Sequence, residues 1–156
     1  MHVLLATDAD WIVDEVTAAL GGPDTSFTVC REGRLVAKLV HERHPDLAVL
    51  DLQVGSMGGM AIAMELRLDE SVATLPHVNI LMLLDRRADV YLAQRSGAEG
   101  WLIKPLDALR LKRAALAVLN GETYQEGVPE APPASRPSEP LSEEAATPEE
   151  QPAPAG

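Results

Sequence analysis

Short aliphatic runs alternate five times with segments of helical period over the first 121 residues of this 156-residue chain. The runs are Val3-Leu4-Leu5-Ala6, Phe27-Thr28-Val29-Cys30, Leu47-Ala48-Val49-Leu50-Asp51-Leu52, residues 78–84, and Gly100-Trp101-Leu102-Ile103. Runs this short, mostly apolar on both pleat faces, read as strands buried on both sides. Between them, apolar residues recur at helical spacing: Ile12, Val16 and Leu20 over 10–20; Val36, Leu39 and Val40 over 32–44; Ile62, Ala63 and Leu66 over 59–70. A fourth helix is expected over 88–95, stopped by Gly97. A fifth is expected from Asp107, whose carboxylate can cap it, to Asn120-Gly121. Gly21-Gly22-Pro23 ends the first helix, and Pro45 ends the second because the residue before a proline resists the α region. A strict strand–helix repeat predicts a five-stranded parallel sheet, helices on both faces and right-handed crossovers. The expected strand order is 2-1-3-4-5, with a topological switch point between the first and third strands.

The pattern stops at Glu122. Eight of the twelve prolines lie in 125–156, where Val128 and Leu141 are the only larger apolar residues. Such a segment cannot bury enough surface to fold alone. The expected organisation is therefore a domain over 1–121 and a Pro/Glu/Ala-rich acidic tail over 122–156, disordered alone and ordered on a partner. At polyproline rise that tail spans about 100 Å. It is too short and too polar for a helix-turn-helix or other output domain. Seven Glu and one Arg in 125–156 carry −6 of the net charge of −11, leaving −5 for the remainder. Neither part offers the basic field that phosphate backbones require, which excludes direct nucleic-acid binding. A single cysteine, Cys30, forms no intramolecular disulfide, fits a reducing compartment and reads as a small buried hydrophobe. The first apolar run is short and interrupted by Asp8 and Asp10, unlike a secretory signal. No run reaches membrane-spanning length. The expected location is the cytoplasm, without membrane insertion, where the protein could still sit peripherally on a membrane complex.

Candidate chemistry sits at strand ends. Asp8 follows the first strand, Asp51 ends the third and Lys104 follows the fifth. In an open α/β sheet these ends face one crevice. A carboxylate that accepts a phosphoryl group needs a divalent metal on neighbouring carboxylates, a cation over the phosphoryl oxygens and a hydroxyl donor. Oxygen ligands favour Mg²⁺. The order of these parts, the Gly-rich stretch Val54-Gly55-Ser56-Met57-Gly58-Gly59-Met60, and the run Ser96-Gly97-Ala98-Glu99-Gly100-Trp101-Leu102-Ile103-Lys104-Pro105 together resemble the receiver domain of response regulators over about residues 1–121. That resemblance implies a flavodoxin-like (βα)5 fold and a signalling domain rather than an enzyme. It implies Asp51 as phosphoacceptor, Asp8 as the main metal-binding acid, Lys104 with a cis Pro105 as the phosphoryl-binding lysine, and Trp101 as the aromatic switch. It also implies a histidine kinase as phosphoryl donor and docking of partners on the face formed by the fourth helix, fifth strand and fifth helix.

The departures from the family matter equally. Thr7 stands where the first of two adjacent acids belongs, and Leu83 or Leu84 where a Ser or Thr belongs. Gly55 and Gly58 replace a proline and an acid, and the loop around Asp85-Arg86-Arg87 is one or two residues short. Two readings of Asp51, Asp8 and Lys104 stand: a usable phosphorylation site, or an ion-paired network that ties strand ends together. Trp101 is either a switch or a surface-edge aromatic. His41 and His44, at i and i+3, have no third ligand near in sequence and read as a solvated helix end. Arg86, Arg87, Arg95, Arg110, Lys112 and Arg113 form a basic cluster, either a solvated face or a patch for an acidic partner. A degraded pocket with an acidic tail predicts an atypical orphan receiver, a protein-binding regulatory or accessory subunit with weak or absent phosphorylation. The resemblance extends to orphan receivers that accompany respiratory complex I (NADH–quinone oxidoreductase) and implies docking on its hydrophilic arm. The alternative is a conventional single-domain response regulator, phosphorylated on Asp51 by a histidine kinase in a two-component phosphorelay.

Overall fold

The computed structural model describes residues 1–128. The elements run β1 (His2–Ala6), α1 (Asp10–Leu20), β2 (Ser26–Cys30), α2 (Val36–Arg43), β3 (Leu47–Asp51), α3 (Gly59–Ser71), β4 (Asn79–Leu84), α4 (Val90–Ser96), β5 (Gly100–Ile103), α5 (Ala108–Leu119) and β6 (Tyr124–Gln125). All strands pair in parallel in the order β2-β1-β3-β4-β5-β6, so the expected 2-1-3-4-5 order holds and a sixth strand extends it.

Strand parity sorts the core into two layers, because successive side chains point to opposite faces. Val3, Leu5, Leu47, Val49, Leu81, Leu83 and Leu102 pack with Ile12 and Val16 of α1 and with Leu111, Ala114 and Val118 of α5. Leu4, Ala48, Leu50, Ile80, Met82, Leu84 and Trp101 pack with Val36 and Val40 of α2, Ile62 and Leu66 of α3, and Ala93 of α4. Cys30 is buried in the second layer, as its flanks predict. The first three helices turn the faces their apolar spacing predicted toward the sheet.

Helix ends follow their chemistry. The Asp107 carboxylate accepts from Arg110 N at 2.9 Å and caps α5, and that amide, with the Arg110 guanidinium beside it, holds the carboxyl below its ordinary value. Residues 32–44 were expected as one helix. Gly33–Leu35 instead form a 3-10 turn ahead of α2, and His44 closes α2 in the left-handed region at φ 46°. Arg87–Asp89 likewise form a 3-10 turn before a shorter α4.

The boundary at Gly121 needs correction. Residues 122–128 turn back along β5, with Gly100 opposite Tyr124 and Trp101 opposite Gln125. The remainder of the expected tail, 129–156, lies outside the described residues. Among the described residues, no helix is long and apolar enough to cross a membrane.

Candidate functional site

Thr7, Asp51, Asp85 and Lys104 converge because they share one pleat parity at one end of the sheet. β1 runs Val3, Leu5, Thr7; β3 runs Leu47, Val49, Asp51; β4 runs Leu81, Leu83, Asp85; β5 runs Gly100, Leu102, Lys104. Leu5 pairs with Val49, Asp51 with Leu83 and Leu83 with Leu102, so the next residues along all rise above the same layer. Gly59 completes the floor: a Cβ there would stand 2.6 Å from the Asp51 carbonyl oxygen, so only glycine lets α3 start this close beneath the loop.

Asp51 is 2% exposed and fully engaged. Thr7 Oγ1 donates to its Oδ2 at 2.8 Å, Lys104 Nζ to its Oδ1 at 2.8 Å, and the Gln53 amide to Oδ1 at 3.1 Å. Lys104 Nζ also donates to Asp85 Oδ1 at 2.8 Å. Asp85 Oδ2 is buried with no hydrogen-bond partner among the described residues. Burial alone would lower the Lys104 pKa, but the hydrogen bonds Lys104 donates to Asp51 and Asp85 outweigh it and raise the ammonium above its ordinary value. The lysine is thus locked as a cation between two carboxylates. The Trp11 ring lies at the rim, its centroid 5.8 Å from Lys104 Nζ.

Sequence reasoning found Asp51 and Lys104 but treated Thr7 only as a lost acid and passed over Asp85. The rule that singled out Asp51, a carboxylate at the C-terminal end of a parallel strand, applies equally to Asp85 one residue beyond β4. Asp8 is exposed, its Oδ2 against the loop after β3, 3.0 Å from where a Cβ on Gly55 would stand. Asp10 turns away to Arg31 at 2.7 Å. Leu84 lies in the same buried cluster as Trp101, while Leu83 faces the α1–α5 layer; neither can donate a hydrogen bond.

The donor set fits a magnesium ion incompletely. Both Asp51 oxygens already accept hydrogen bonds, a hydroxyl stands at Thr7, and no group of three metal-ligating side chains forms among the described residues. Asp8 and Asp51 could share a largely hydrated ion, as Mg²⁺ tolerates. They do not build a dedicated cage.

Trp101 is 1% exposed, so the surface-edge reading of it is corrected. Its indole N–H donates to the Glu126 carbonyl at 2.8 Å, which fixes the ring inward. Three of the six members of the basic cluster have partners. Arg110 is paired with Glu126 and Asp107, Arg86 with Asp89, and Arg95 lies 4.3 Å over the Tyr91 ring. His41 bonds Asp69 at 3.0 Å, which leaves no histidine pair for a metal.

Comparison with known proteins agrees with this architecture. The family model of the response regulator receiver domain matches residues 3–116. An uncharacterized response regulatory protein of Mycobacterium tuberculosis is 31% identical over 130 residues, covering 80% of this chain and 95% of that protein. The transcriptional regulatory protein CseB of Streptomyces avermitilis is 31% identical over 141 residues, covering 88% of this chain and 55% of that protein. Among solved structures, the chemotaxis response regulator CheY4 of Vibrio cholerae superposes with TM-score 0.66 at 22% identity, covering 75% of this chain and 97% of that one. The receiver domain of NtrX from Brucella abortus superposes with TM-score 0.62 at 23% identity, covering 76% and 98%. These two likenesses carry the fold. The matched family model and the coverage of the mycobacterial relative carry membership: the chain belongs to the response regulator receiver domain family.

Proposed function

We propose that this receiver is an atypical, protein-binding regulatory or accessory subunit of the cytoplasm, with weak or absent phosphoryl exchange at Asp51. The observation that carries this reading is Lys104 shared between Asp51 and Asp85 at 2.8 Å each. A phosphoryl group on Asp51 needs that ammonium for its own oxygens, and Asp85 already supplies a resident anion there. Asp51 and Asp85 flank the lysine and Asp8 lies exposed just after β1, a set of carboxylates that repels an anionic phosphoryl donor. No hydroxyl stands on β4 to bond a phosphoryl oxygen, so a charged Asp51 has no route to Trp101. Binding then rests on surfaces that do not depend on the pocket, with the acidic stretch 129–156 as an added contact.

The conventional alternative draws support from the intact Asp51–Lys104 pair and from relatives named as DNA-binding response regulators. Nothing in the site or among these relatives points to respiratory complex I, and the proposal names its partner only as a protein. The test is native purification of the tagged full chain in mild detergent, beside Asp51→Asn. A stoichiometric partner retained equally by both supports the binding-module reading. A partner, or a histidine kinase, lost with Asp51→Asn returns the chain to phosphotransfer.

A further inference from the structure

A strand of two residues is not held by its ladder alone. What holds β6 is Glu126. Its backbone carbonyl accepts from Trp101 Nε1 at 2.8 Å. Its carboxylate accepts from Ile103 N at 2.9 Å and Arg110 Nε at 2.8 Å, and Arg110 Nη2 closes the fork. Arg110 is itself oriented by the Pro105 carbonyl at 2.8 Å and the Ile103 carbonyl at 2.9 Å. Gly127 sits at φ +73°, where a Cβ would stand 2.9 Å from Ile103 Cδ1 and 3.0 Å from Val90 Cγ2. Val128 packs on the core cluster that contains Trp101. Residues 124–128 therefore fill a groove along β5, between α4 and α5, that reads an aromatic, any residue, Glu, Gly and an aliphatic.

Without this segment, β5 is an open sheet edge. The Trp101 carbonyl loses the Glu126 amide, the Ile103 amide and the Arg110 fork lose the Glu126 carboxylate, and the indole N–H loses its acceptor. Such an edge is a template for strand addition. Every contact made by 124–128 is one that a segment of another chain could make, with the bidentate Arg–carboxylate pair setting the register.

We propose that the β5 edge between α4 and α5 is a strand-addition site for an extended acidic segment of a partner protein, occupied in the free chain by its own residues 124–128. The partner segment carries a Glu two residues after an aromatic and is followed by Gly and an aliphatic. The tethered occupant acts at an effective concentration in the millimolar range, so a partner binds only as the strap yields. This deepens the protein-binding reading above and rests on it for the existence of a partner. Peptide capture and phosphoryl labelling are separate measurements, so either idea can fail alone.

The test uses ¹⁵N-labelled full chain and a peptide of sequence Glu122-Thr123-Tyr124-Gln125-Glu126-Gly127-Val128. The Trp101 indole signal reports occupancy, and the Trp11 indole serves as internal control. Glu126→Ala loosens the resident strap and leaves the groove intact. The peptide is expected to bind this variant at least tenfold more tightly than wild type and to return the Trp101 signal toward its wild-type position. Adding Arg110→Ala should abolish the gain, as should alanine at the peptide's Glu126 position. If Glu126→Ala does not fold, Glu126→Gln, which keeps the shape and loses the charge, is read by the same criteria. A folded variant that ignores the peptide, or takes up the alanine peptide equally well, overturns the proposal. Dimerisation of the variant in light scattering would assign the edge to a second copy and overturn the partner assignment.

Discussion

Lys104 has three donors, and two of them are committed to Asp51 and Asp85. Removing the Asp85 carboxylate returns a donor to the pocket and lowers its negative field. Asp85→Ala should therefore label with acetyl phosphate at least tenfold faster than wild type, read by intact mass; an unchanged or slower rate would show that Asp85 does not obstruct the site. Thr7→Asp restores the second acid of the family pattern and should tighten Mg²⁺ binding about tenfold, or 1.4 kcal/mol. Trp11 fluorescence at the rim reads that titration, and equal affinity in both proteins counts against the incomplete cage. Titration adds a third residue-level expectation. Burial opposes ionisation of Glu126, yet Arg110 and the Ile103 amide hold its carboxyl below the ordinary 4.5. A depressed carboxyl stabilises the folded state above its unfolded value and loses that contribution as pH falls through its folded value. The Trp101 indole signal should therefore shift only below pH 4.5. A shift already complete at higher pH would mean that the fork does not hold the strap. Lys104 runs the opposite way: its raised value keeps the network intact through pH 10.5, with loss only above it.

Among the elements, α5 shows most clearly how pattern becomes structure. Leu111 is fully buried against the sheet, while Leu116 is 61% exposed on the other face. Leu111→Ala should cost about 2–5 kcal/mol by cavity formation. Leu116→Ala should stay within about 0.5 kcal/mol. Urea unfolding of the two variants checks the contrast, and equal losses would contradict the assigned faces. The strong periodic elements were legible: α1 spans residues 10–20 as its apolar spacing and the Gly21-Gly22-Pro23 stop predict. The split of residues 33–43 into a 3-10 turn and α2 was not, because Gly33 approaches the Met57 carbonyl, a tertiary contact without local signature. β6 was missed for a related reason. Tyr124-Gln125 has no strand pattern of its own and lies where composition turns Pro- and Glu-rich. Its placement comes from Glu126 meeting Arg110 and Trp101 across the sheet edge.

At the scale of the molecule, one crevice gathers the ends of four parallel strands, and its chemistry was half legible. Asp51 and Lys104 could be named from their strand ends, since parallel order forces them together. Asp85 answers to the same strand-end rule, but its bond with Lys104 and the bond from Thr7 to Asp51 depend on which residues share a pleat parity in register. The same register buries Trp101 under the chain's own 124–128 segment. The pocket and the partner face are thus separated by leucines and by a strap. Asp51→Asn should leave partner affinity within tenfold of wild type in a direct binding measurement; a larger loss would tie docking to the pocket. The most direct measurement is the intact mass of the full chain after incubation with acetyl phosphate and Mg²⁺, with Asp51→Asn as control. The account predicts at most a trace phosphoryl increment above the control. Stoichiometric labelling that disappears in Asp51→Asn would contradict it and restore the conventional phosphorelay reading.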